Sequence, residues 1–271
     1  RPMQPALAKA IAWLAHEHIE AFNAYQSTHY PRQVAQLMKA KTLAAFIASG
    51  VGKATFAGIF DVCGWIDRTA SDQLLDPGVQ KLLEFDLPKP TGTAKWFNLS
   101  LSPKLREYQG RLEIDWSGGA SGGKAWSRWA TSVPGKNFPV AAVHTASQFA
   151  DAKAMPDWNE LVLTWAELNV IPKAWARKLK EWRCIYFILD TSDSKGYVGA
   201  AYGEDNLYGR WINYASSGDG GNELLKLRTP TNLRFSILQR LSPDLDEKGV
   251  RQIESSWKKR LGTKSFGLNA N

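Results

Sequence analysis

Cys184-Ile-Tyr-Phe-Ile-Leu-Asp190 and Gly196-Tyr-Val-Gly-Ala-Ala-Tyr202 are two short apolar runs separated by Thr191-Ser-Asp-Ser-Lys195. Both are rich in β-branched and aromatic residues and bounded by turn formers, so the pair reads as a β-hairpin. Gly199 lies inside the second run, and a glycine within a strand often marks close approach of a ligand or of other backbone. Working outward, Leu207 to Ala215 reads as a short helix and Asn222 to Leu227 as another. Phe235-Ser-Ile-Leu238 reads as a third strand and Lys248 to Leu261 as a closing helix. The order β-β-α-α-β-α fills the last 88 residues.

This stretch carries side chains suited to chemistry. Tyr186 and Tyr197 lie on the two strands of the hairpin. Arg210 and Tyr214 are four residues apart on a helix and share a face. On the closing helix Val250, Ile253, Trp257 and Leu261 form an apolar stripe. Glu254 falls about 40° from Val250, at the edge of that stripe, where a carboxylate is costly unless it meets a cation. Asn269 sits in Phe266-Gly-Leu-Asn, a turn able to fold back on the sheet. Taken singly, each has a plain reading: strand tyrosines, an Arg210–Glu254 ion pair, a turn asparagine. Together they offer a base, a cation, a metal ligand and an amide, the set that phosphodiester hydrolysis needs.

In order and spacing, residues 184–271 resemble the GIY-YIG nuclease domain. Cys184-Ile185-Tyr186 stands where that family has Gly-Ile-Tyr, and Tyr197-Val198-Gly199 stands for Tyr-Ile-Gly. Arg210-x-x-x-Tyr214 matches the family's Arg followed four residues on by His or Tyr. Glu254 matches its metal-binding Glu and Asn269 its late Asn. Cys184 departs from the first glycine, a position that contributes mainly backbone. The resemblance implies a three-stranded antiparallel sheet flanked by helices. It implies DNA cleavage with one divalent metal, Mg2+ or Mn2+, held by Glu254. Tyr186 would be the general base, Tyr197 and Tyr214 would orient water or phosphate, Arg210 would stabilise the developing charge, and Asn269 would support the site. A neutral tyrosine is a poor base, so the metal and Arg210, with Lys195 nearby, would have to favour its ionised form.

Upstream the pattern differs. Residues 5–26 carry Leu7, Ile11, Leu14, His18 and Phe22 at helical spacing. Thr42 to Ile47 suits either helix or strand. From Thr55 onward, short alternating runs follow: Phe56 to Val62, Leu82 to Leu87, Trp96 to Leu101, Gly110 to Trp116, Ala125 to Trp129 and Phe138 to Val143. Turn-rich segments such as Ser117-Gly-Gly-Ala-Ser-Gly-Gly123 divide them. Such a series predicts a small antiparallel barrel or sandwich. Pro172 can open a helix that carries Trp175, Leu179 and Trp182 on one side. The fold class expected is therefore α+β. Residues 1–150 form a helix plus a β-rich domain, 151–182 a connector with a basic helix, and 183–271 the nuclease domain.

The 271 residues suffice for a sizeable core, and no apolar run approaches the length of a membrane span. The start does not read as a secretory signal. The expectation is a soluble, cytoplasmic protein with no membrane partner. Cys63 and Cys184 show no metal-ligand spacing and read as buried thiols in strand-like runs. The net charge of +8 suits a polyanion partner. Residues 181–271 hold 13 Lys or Arg against 11 Asp or Glu, so most of the basic excess lies upstream. Candidate DNA contacts are Arg111, Lys124, Trp126, Arg128, Lys178, Lys195 and Asn222. Trp126 and Arg128 combine a stacking face with a guanidinium beside the Gly/Ser loop. These expectations describe an endonuclease acting on DNA in restriction, phage defence, repair or a mobile element, with room for a homodimer. The competing readings are a DNA-binding protein with an inactive nuclease fold and an RNA-directed nuclease.

Overall fold

The computed structural model describes residues 4–29, 31–116, 138–149, 155–217 and 222–270. The chain divides into two compact units, Arg1–Ala152 and Lys153–Asn271. The architecture is mixed α and β with antiparallel sheets.

The first unit opens with α1 (Pro5–Glu17), α2 (Ile19–Ser27) and α3 (Pro31–Leu37). The single helix expected over 5–26 is broken at His18, whose backbone leaves the helical region at φ −132°, ψ 60°. The His18 N–H closes α1 on the Leu14 carbonyl, and its own carbonyl accepts from Ala21 and Phe22 to start α2. Strands β1 (Thr42–Gly50) and β2 (Lys53–Arg68) form a hairpin around Gly52, where φ is +69°. Next come α4 (Ala70–Leu74), α5 (Pro77–Leu83), β3 (Ala94–Leu101), β4 (Leu112–Asp115) and β5 (Val140–Val143). Leu82 to Leu87, expected as a strand, instead holds the end of α5 and the turn after it. The cause is local: Asp76 accepts from the Gly78 and Val79 amides, and Pro77 pre-sets the first helical residue.

Strand β2 has 16 residues and is the spine of this unit. Its first half pairs with β4 and its second half with β3, while β1 runs along its other edge and β5 continues beyond β4. Among the described residues this makes one five-stranded antiparallel sheet with helices packed on it. An irregularity between Val62 and Trp65 leaves Cys63 exposed, not buried as its apolar run suggested; Cys184 is buried.

The second unit begins with β6 (Val162–Thr164), α6 (Trp165–Leu168) and α7 (Lys173–Glu181). It continues through β7 (Cys184–Asp190), β8 (Lys195–Ala201), α8 (Asn206–Ser217), α9 (Glu223–Lys226), β9 (Leu233–Arg240) and α10 (Glu247–Leu261). The sheet order is β6-β9-β7-β8, all antiparallel. It therefore has four strands, one more than expected. The added strand comes from the segment read as a connector: Val162 to Thr164 pair with Ser236 to Arg234 and close one side of β9. Leu161 and Leu163 are buried there, so apolar burial ties the segment to the sheet.

On one sheet face Ile185, Val198 and Ala200 pack with Leu241 and with Val250 of α10, and Ile253 and Trp257 lie alongside. The stripe read from the sequence is thus the one that covers this face. Leu261, its last member, is exposed. Among the described residues no helix is long and apolar enough to cross a membrane.

Candidate active site

Strand alternation sends Tyr186, Ile188, Tyr197 and Gly199 to the face opposite α10. The register places Tyr186 across from Gly199 and Ile188 across from Tyr197. Tyr186 is fully buried, and its hydroxyl is 2.9 Å from that of Tyr214 on α8. A Cβ on Gly199 would stand 2.3 Å from the Tyr186 Oη and 2.4 Å from its Cζ. The glycine is thus required because the phenol lies flat across the neighbouring strand. The rings of Tyr186, Tyr197 and Tyr214 form a triangle with centroids 6.0 to 6.3 Å apart. Of the three, Tyr197 alone retains exposure.

Trp211 forms the floor of this cluster, edge-on to Tyr186 and against Phe235. Sequence reasoning passed over Trp211. The signal was present: Leu207, Trp211 and Tyr214 follow a four-three spacing that puts them on one helix face, and all three are buried.

Burial pushes the Tyr186 hydroxyl well up, and the neighbouring Tyr214 and Tyr197 add to the shift. The Tyr214 hydroxyl is raised as well, chiefly by burial. Both phenols therefore stay protonated at any working pH and serve as hydrogen-bond groups. For Arg210, burial acts to lower the pKa, but Tyr186, Tyr214, Tyr197 and Tyr202 outweigh it and hold the guanidinium firmly charged.

Strand β8 is the outer strand, so among the described residues its second edge has no strand partner. Three alternate residues along that edge are met by other groups. The Gly196 carbonyl accepts from the Leu268 amide at 2.8 Å. The Val198 amide donates to Asn269 Oδ1 at 2.9 Å, and its carbonyl accepts from Asn269 Nδ2 at 2.8 Å. The Ala200 carbonyl accepts from Arg210 Nε at 3.4 Å. Asn269 is buried and acts as a one-residue strand, satisfying main-chain groups that would otherwise be orphaned. It holds Tyr197 and Gly199 in place through the residue between them.

Glu254 lies on α10, the helix that covers the Ile185–Val198–Ala200 face. That helix lies on the other sheet face from the tyrosine cluster. The Glu254 carboxylate pairs with Lys258 Nζ at 2.9 Å, not with Arg210. Lys258 was not singled out in the sequence, though its spacing four residues after a glutamate is the mark of a helix ion pair. Glu254 offers a hard oxygen donor. Among the described residues no group of three or more His, Cys, Asp or Glu side chains is placed to hold a metal. A single carboxylate suits Mg2+ or Mn2+, which keep several waters and take phosphate oxygens as further ligands.

The expected DNA contacts divide. Arg111 is committed to the fold: its Nε donates to the His144 carbonyl at 2.8 Å and its Nη1 to the Glu107 carbonyl at 3.2 Å. Asn222 is likewise occupied, capping α9 through the Leu224 and Leu225 amides and donating to the Leu268 carbonyl. These bonds satisfy main-chain groups at a strand end and a helix start. Lys178 is exposed on α7. Lys195 is half-exposed beside Asp193, at 3.8 Å. Lys124, Trp126 and Arg128 lie outside the described residues.

Arg210 also lines an open cavity of about 400 Å³ with Asn213, Asn206, Gly203 and Tyr202. No family model matches the chain, and neither a curated protein nor a solved structure matches it.

Proposed function

We propose that the second unit is a metal-dependent DNA endonuclease of the GIY-YIG type and that the first unit selects the DNA it cuts. One observation carries the reading. Tyr197, Gly199, Arg210 and Asn269, spread over 73 positions of the sequence, converge on β8, with Tyr186 and Tyr214 directly behind it. A charged guanidinium that lines an open cavity, in electrostatic reach of a partly exposed phenol, is a setting for an anionic phosphodiester and an attacking water.

In this reading the roles within the triangle shift. Tyr186 was expected to be the base, yet its hydroxyl is shut away from water. Tyr197, having first given its own proton to solvent, meets the water as a phenolate beside Arg210 and takes the water's proton as the water oxygen bonds to phosphorus and the leaving oxygen departs. Tyr186 and Tyr214 stay protonated behind it, hydrogen-bonded to each other, and their rings pack against that of Tyr197. Arg210 meets the charge that builds on the phosphate oxygens. Mg2+ or Mn2+ held by Glu254 would supply Lewis-acid stabilisation of that charge and of the leaving oxygen.

The test is cleavage of plasmid, single-stranded DNA and RNA by the full chain, each with Mg2+ or with EDTA. Plasmid cutting that needs the divalent ion and is abolished by Glu254→Gln supports the reading. Binding without cutting would favour an inactive nuclease fold, and preferential RNA cutting would assign the other substrate.

A further inference from the structure

Helix α10 carries two ion pairs with the same four-residue spacing, in different surroundings. Glu247 and Arg251 have side chains 57% and 69% exposed. Such a pair is screened by water and contributes little. Glu254 and Lys258 are only 18% and 16% exposed. They follow Val250, which is fully buried, at successive four-residue steps along the helix. A carboxylate sheltered to that degree is costly without a counter-charge, and here Lys258 supplies it.

We infer that Lys258 is the resident counter-cation of Glu254: it neutralises the carboxylate until a divalent cation displaces it, and the freed ammonium then turns toward the phosphate. The inference rests on the reading of Glu254 as the metal ligand. The ammonium and the metal compete for one carboxylate, so each weakens the other's hold on it. Occupancy by Lys258 keeps the site intact without metal. Release of the ammonium delivers a positive charge where a phosphodiester must be bound.

The test is Mn2+ binding to the full chain without nucleic acid, followed by electron paramagnetic resonance. Lys258→Met removes the competitor and should tighten Mn2+ binding by roughly tenfold, within the range usual for coupled sites. Lys258→Arg keeps a cation at the same spacing and should bind Mn2+ about as weakly as the wild type. Glu254→Gln should lose the site. Lys258→Gln serves as a second neutral variant in case the Met variant does not fold. If the neutral variants bind Mn2+ as the wild type does while Glu254→Gln loses it, Lys258 is a helix stabiliser only and the inference fails, with the metal assignment intact. If Glu254→Gln binds Mn2+ as well as the wild type, the metal assignment itself is overturned.

Discussion

Gly199 and Tyr186 face each other across the β7–β8 ladder at a distance that leaves no room for a methyl group: a Cβ at 199 would lie 2.3 Å from the phenol oxygen. Gly199→Ala should therefore destabilise the second unit by about 1–3 kcal/mol, the usual cost of overpacking a core. Adding Tyr186→Phe should not restore it, because Cζ and Cε2 also stand 2.4 and 2.8 Å from the same point. Thermal unfolding of the single and double variants decides this. A Gly199→Ala protein that melts like the wild type would refute the close approach.

The tyrosines should differ in kinetic weight. Tyr197→Phe removes the only partly exposed hydroxyl of the triangle and should slow cleavage by about 10²–10⁴-fold, the usual contribution of a general base. Tyr186→Phe removes a hydroxyl that touches Tyr214 alone and should cost considerably less. Single-turnover rates on a plasmid substrate would show it. The reverse ranking would return the base role to Tyr186.

Alkaline pH should weaken the fold in a defined direction. Folded Tyr186 and Tyr214 have raised pKa values, mainly from burial, whereas unfolded tyrosine ionises near pH 10. Above about pH 10 the unfolded state binds fewer protons than the folded one, so stability falls as pH rises. Below that pH the contribution is fully present. Denaturant melts at pH 9 and 11 should show the loss, with a smaller difference for Tyr186→Phe. Equal pH dependence in the two proteins would mean that Tyr186 ionises freely.

Asn269→Ala deletes two buried hydrogen bonds to Val198 and should cost about 2 kcal/mol, at about 1 kcal/mol per bond. Because Val198 lies between Tyr197 and Gly199, the lesion should also appear in function. Hydrogen exchange at the Val198 amide should speed up, and cleavage should fall without loss of metal binding. Unchanged exchange at Val198 would contradict the clamp.

The boundary of the second unit can be probed by truncation. A fragment of residues 155–271 keeps β6 on β9 and should melt cooperatively. One beginning at residue 183 uncovers an edge of β9 and should be markedly less stable. Equal melting temperatures would show that β6 adds nothing. If the first unit selects the target, the longer fragment should bind DNA weakly and cut with little sequence preference.

Periodicity and turn residues determined the elements from Cys184 onward, but not β6. The two runs around Thr191–Lys195 and the stripe on α10 are local signals, set by neighbours within a few positions. Tyr186, Tyr197, Arg210, Tyr214 and Asn269 were also legible, because each is a distinct chemical type at a distinct spacing, whereas Trp211 and Lys258 were not singled out. The division of labour within the site was not legible. Whether Tyr186 or Tyr197 meets water depends on which phenol α8 covers. That Arg111 and Asn222 serve the fold depends on carbonyls and amides brought to them by other elements. The pairing of Val162–Thr164 with β9 joins segments about 70 residues apart, and the burial that drives it is contributed by both partners. Elements follow from local propensity and periodicity. Burial, proton affinity and hydrogen-bond commitment are properties of a side chain's surroundings, and those surroundings exist only once the chain has packed.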